Sequence, residues 1–142
     1  MLVFLKQRLE YKMKIVINEC YGGFGLSNEA ILRLLDLGSD YVKTIEPRDY
    51  YGKDWEKRFQ NDLDGKRSWG PIIKDGKIVL DEYRDQDARN CPFLIQVVEE
   101  MGEASFGNFA KLKIIEVPDD LDLEIDNYDG VEHIAEAHRT WS

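Results

Sequence analysis

Ile15, Val16 and Ile17 are consecutive, and a continuous apolar run of this kind predicts a strand, Lys14–Cys20, covered on both faces. Downstream the rhythm changes to helical. Ile31, Leu34 and Leu35 make one stripe, Ser27 is a suitable N-cap, Glu29 favours the first turn, and Gly38 suits the C-terminal end. Tyr41–Glu46 reads as a second strand closed by Pro47. Trp55, Phe59 and Leu63 recur at i, i+4 and i+8, predicting a short helix ended by Gly65 within a polar, aromatic connection from Arg48 to Gly70. A connection of that length reads either as a functional lid or as a mobile segment. Pro71–Asp75 and Lys77–Tyr83 flank Gly76 as a hairpin. Pro92 opens a second long helix, with Phe93, Leu94, Val97, Val98 and Met101 as its apolar face and Gly102 at its end.

The C-terminal third alternates instead. Phe109–Val117 is a strand, Leu121–Tyr128 sets Leu121, Leu123 and Ile125 against Asp122, Glu124 and Asp126, and Asp129-Gly130 is a hairpin turn leading into Val131–His138. The Glu- and Ala-rich stretch after that turn also suits a helix on propensity; the turn favours a strand. The expected class is α+β (mixed α/β): a β-α-β start, an inserted lid, a β-hairpin, a second helix, and a three-strand antiparallel meander. Met13 immediately precedes the first strand pattern, so residues 1–12 read as a non-native or dispensable extension. The alternative is a short helix, Phe4–Tyr11, packed on the sheet. Residues 13–142 form one domain, with a variable insertion at about 48–70.

Composition narrows the function classes. A chain of 142 residues supports one sizeable core, and a formal charge of -9 disfavours non-specific nucleic-acid or anionic-membrane partners, which need a basic face. Between Glu116 and Glu136 there are nine carboxylates and no Lys or Arg, a pattern explained by solvated strand faces or by a surface that docks on a basic partner. Two cysteines, Cys20 and Cys91, make no disulfide framework, and the opening residues are too weakly apolar for a secretory core. A cytoplasmic setting is expected.

The most suggestive local pattern is the strand–glycine turn–helix junction at CYGGFGLSN. Backbone N–H groups and a helix dipole at the end of a strand form an anion site from backbone alone. The ligand-binding candidates are Asn18, Tyr21, Gly22, Gly23, Phe24, Gly25, Ser27 and Asn28, with Arg89 and Asn90 before one helix and His138 and Arg139 near the C-terminus supplying bidentate and stacking groups. The competing reading is that the glycines only let the strand turn tightly. Gly23–Asn28 also approaches a dinucleotide fingerprint, with Glu46 at the ribose-binding distance, but Asn28 replaces the third glycine and no second mononucleotide half follows. Catalytic candidates are Glu19 as a base at the strand end, Cys20 as a nucleophile, and His138 as its partner. No metal spacing is recognisable, and no cofactor is implied.

Met13–Ser27 (MKIVINECYGGFGLS) and Cys91–Trp141, ending HRTW, resemble a family of short uncharacterised bacteriophage and prophage proteins. The resemblance carries no activity. It implies an accessory protein in the cytoplasm of a bacterial host that counters defence by binding a partner or sequestering a nucleotide signal. The leading expectation is a small module binding a nucleotide or phosphorylated ligand at the glycine junction. The alternatives are an acidic interaction module that inhibits a host protein, and a small hydrolase or transferase; self-association is left open.

Overall fold

The computed structural model describes residues 12–67, 69–118 and 123–136. The expected extension, apart from Lys12, and the candidates His138 and Arg139 lie outside the described residues. The element order is β1 (Lys12–Asn18), α1 (Asn28–Leu37), β2 (Val42–Ile45), α2 (Pro47–Tyr51), α3 (Trp55–Leu63), β3 (Ile72–Lys74), β4 (Lys77–Asp81), α4 (Pro92–Met101), β5 (Leu112–Pro118), β6 (Leu123–Tyr128) and β7 (Val131–Glu136). Short 3-10 turns occupy Gln86–Ala88 and Gly102–Ser105. This is an α+β chain, as the alternation of patterns predicts.

Local signals act where expected. The Ser27 hydroxyl accepts from the Ala30 N–H and so caps α1. Gly38, at φ 83°, ends it, while Gly38 N–H reaches Leu35 O and Ser39 N–H reaches Leu34 O, a Schellman arrangement. Both hairpin turns place an Asp-Gly pair at positive φ, Asp75 (53°) with Gly76 (77°) and Asp129 (53°) with Gly130 (92°). These are the conformations a two-residue hairpin loop demands.

Among the described residues all strand pairs are antiparallel, in three small sheets: β1 with β5, β2–β4–β3, and β6 with β7. The three C-terminal strands are present. Among the described residues, however, β5 pairs with β1 across the chain, with Ile15 opposite Ile115, and β6 pairs only with β7. Because β1 and β2 belong to different sheets, the opening β-α-β is no parallel crossover, which removes the basis of a dinucleotide fold.

The apolar run Ile15–Val16–Ile17 is covered on both faces. Val16 joins the main core with Leu34 of α1, Leu94 and Val97 of α4, and Tyr83. Ile15 and Ile17 meet Val117 and Ile125 in a second, smaller cluster beneath the β6–β7 hairpin. The 48–70 connection is mostly helical: α2 and α3 pack on each other and α2 packs against β4.

Candidate functional site

Three loops meet at one end of the molecule: the glycine turn Cys20–Gly25, the segment Gly107–Lys111, and the hairpin tip Asn127–Gly130. Asn18, at the end of β1 and fully buried, ties them together. Its amide donates to Cys20 O (2.6 Å) and Gly130 O (2.7 Å), and its Oδ1 accepts from the N–H groups of Lys111 (2.9 Å) and Cys20 (3.3 Å). Sequence analysis offered Asn18 as a ligand contact; its polar atoms are instead committed to the backbone of the three loops.

The glycines serve the same convergence. A Cβ on Gly22 would lie 2.0 Å from Cβ of Phe109, one on Gly107 2.9 Å from the Gly25 carbonyl carbon, and one on Gly130 2.3 Å from Tyr21 O. Gly23 adopts φ 88°, whereas Gly25 is not left-handed. The turn is therefore rich in glycine chiefly because backbone packs on backbone there. A helix N-terminus for an anion is less developed than the sequence suggests. Ser27 N–H is donated to Ser105 O, its hydroxyl is shared between Ala104 O and Ala30 N–H, and exposed Asn28 is followed by the carboxylate of Glu29.

Arg89 is brought to the glycine turn, but from below. Its guanidinium sits 3.7 Å over the centre of the Phe24 ring, and both residues are buried. Nη1 and Nη2 donate to the buried Glu132 carboxylate (2.5 and 2.7 Å) and also to the carbonyls of Val16 (3.3 Å) and Arg84 (3.1 Å), while Nε donates to Tyr83 O (2.6 Å). Glu132 also accepts from Asn18 N–H at 2.8 Å. The Arg89 guanidinium thus has no donor left for a ligand: a buried guanidinium is tolerated only when its donors are satisfied, and the protein satisfies them itself. Asn90 points elsewhere, towards Met13 Sδ at 3.4 Å.

The catalytic candidates do not assemble. Glu19 faces solvent near Lys113 (3.7 Å), Cys20 is a half-buried free thiol, and His133, the described imidazole, sits 3.5 Å from Asp126. His138 lies outside the described residues. Among the described residues no cluster of His, Cys, Asp or Glu is arranged to hold a metal ion.

What the loops present outward is aromatic. Tyr21 is 71% exposed, Phe109 74% and Tyr128 77%, one on each loop. Beside the turn is a cleft of about 380 Å³ lined by Tyr21–Phe24, Arg84, Gln86, Asn127, Asp129, Gly130 and Glu132. Among the described residues of the 48–70 connection none lines it, so they form no lid over the turn. Sequence reading missed Phe109, Tyr128, Arg84 and Glu132. The available signals were an aromatic beside glycine or Asp-Gly in each loop, and an acid, Glu132, on the inward register of an alternating strand. No family model, curated protein or solved structure matches this chain.

Proposed function

We propose that the chain is a recognition module whose contact surface is the aromatic three-loop end, and that its partner is a protein. The observation that carries this reading is three aromatic side chains, each more than 70% exposed, on loops locked together by Asn18. Exposed aromatics on rigid, glycine- and asparagine-bearing loops give large contact area for little conformational entropy, the property of binding hot spots. Exposed Asp126 and Asp129 rim the surface on the hairpin side, and Glu124 lies further along β6. The matching partner face is apolar at its centre with Lys or Arg around it, in keeping with the acidic interaction module that the sequence offers as an alternative and, through the resemblance, with a bacterial host protein.

A second reading rests on Arg84. It lines the cleft beside the glycine backbone, the place sequence reading gave to Arg89, and would hold a phosphorylated small ligand there. Arg84→Ala separates the two: it abolishes such binding and leaves capture of a protein partner intact.

The direct test is a photo-crosslinking residue placed at Tyr21 and, as a control, at exposed Lys43 on β2, with illumination in bacterial lysate. A discrete adduct formed from position 21, absent from position 43 and suppressed by excess unmodified protein, is expected. Equal labelling from both positions would contradict the assignment of the surface.

A further inference from the structure

The two-helix connection carries a feature that the three-loop surface does not use. Between Arg48 and Gly70 there are six Lys and Arg against five Asp and Glu, a local excess of positive charge in a chain of net charge -9. Tyr50, Tyr51, Arg58, Asn61, Asp62, Lys66 and Arg67 line a cleft of about 590 Å³ there.

Its floor is prearranged. The Asp62 carboxylate is only 2% exposed, covered by its own partners: Arg67 Nε at 2.8 Å, Arg67 Nη2 at 2.6 Å and the Tyr51 hydroxyl at 2.5 Å. The hydrogen bonds from Arg67 hold Asp62 below the usual carboxylate range, and burial followed by the contact to Asp62 pushes the Tyr51 phenol up, so Tyr51 remains the donor. Asp62 thus fixes the Arg67 fork while leaving its outer N–H groups uncommitted. Arg58 and Lys66 are exposed and have no salt-bridge partner among the described residues. Tyr50 stands edge-on to Tyr51, ring centres 4.8 Å apart at 88°, and is 40% exposed; Phe59 and Trp55 continue the stack behind.

Three cations with one committed acid, beside a partly open tyrosine face, match a ligand that combines several anionic oxygens with a flat apolar group. We propose that the cleft between α2 and α3 is a separate binding site for a nucleotide-class ligand, its phosphoryl oxygens on Arg58, Lys66 and the outer edge of Arg67, its base against Tyr50. Arginine and lysine supply the phosphate contacts, and stacking distinguishes such a ligand from a bare polyanion.

Titration calorimetry of the full chain with ATP, adenosine, tripolyphosphate and a poly-glutamate peptide tests this. ATP is expected to bind at least about tenfold more tightly than each of the other three. Arg58→Ala with Lys66→Ala, both at exposed positions, should weaken ATP at least about tenfold, and Tyr50→Ala should erase the advantage of ATP over tripolyphosphate. Arg84→Ala should change nothing. No ATP binding at millimolar concentration would overturn the proposal, as would equal binding of tripolyphosphate or poly-glutamate, or survival of ATP binding in the double variant. Loss of ATP binding in Arg84→Ala alone would place the ligand at the glycine turn instead.

Discussion

Asn18 and Glu132 hold one end of this molecule through side chains with no room for substitution. Asn18 makes four hydrogen bonds to three loops, and Glu132 joins the Arg89 guanidinium to the Asn18 N–H. Removing Glu132 leaves buried donors unpaired, and removing Asn18 leaves partly buried backbone groups unpaired, which costs more than the net value of the bonds themselves. Asn18→Ala should lower unfolding free energy by about 2–4 kcal/mol, since two partly buried backbone carbonyls lose their donor and two backbone N–H groups their acceptor. Glu132→Ala should cost about 3–5 kcal/mol by stranding the Arg89 charge. Urea denaturation monitored by tryptophan fluorescence measures both. Losses under about 0.5 kcal/mol, the range of ordinary surface substitutions, would show that these groups do not lock the loops.

At the scale of elements, α2 and α3 depend on electrostatics more than the rest of the fold does. Helix α3 buries no residue completely and has no side-chain N-cap, so the Asp62 contacts to Arg67 and Tyr51 tie it to its surroundings. Asp62 has a lowered folded-state pKa. Its contribution to stability is therefore complete above the ordinary aspartate range, near 3.8, and is lost as pH falls through the lower folded value. Backbone amides of α3 should exchange with solvent faster below about pH 3.8 than intrinsic chemistry requires, before α1 and α4 respond. Asp62→Asn should exchange fast already at neutral pH, and a pH-independent α3 in the parent chain would refute this dependence. The same elements show how far sequence reaches. Trp55, Phe59 and Leu63 reveal α3, Ser27 and Gly38 bound α1, and Asp-Gly pairs mark both hairpin turns, because each signal acts within a few residues. The pairing of β1 with β5 and the meeting of Gly22 with Phe109 are set by which apolar faces find each other across most of the chain, and no local period records that. Arg89 illustrates the consequence. Beside a proline-started helix it reads as a ligand-binding Arg; its partner Glu132 lies 43 residues on, and together they form a buried pair rather than a site.

Across the whole molecule, polarity is divided. The acidic C-terminal hairpin adjoins the aromatic loop end, whereas α2 and α3 carry the local basic excess around their own cleft. Two surfaces of opposite chemistry on one small fold suit a module that reads a partner with one and a small anion with the other. Among the described residues no helix is long and apolar enough to cross a membrane. On the proposed reading, Tyr21, Phe109 and Tyr128 are kept exposed for recognition. Each is largely solvent-facing, and alanine at position 109 retains the Cβ that packs on Gly22, so the triple alanine variant should lose no more than about 1.5 kcal/mol of stability. The decisive measurement is the affinity of that variant, by surface plasmon resonance, for the protein captured at position 21. A loss of at least about 100-fold with folding intact is expected if the aromatics are the hot spot; an affinity within about threefold of the parent chain would contradict the account.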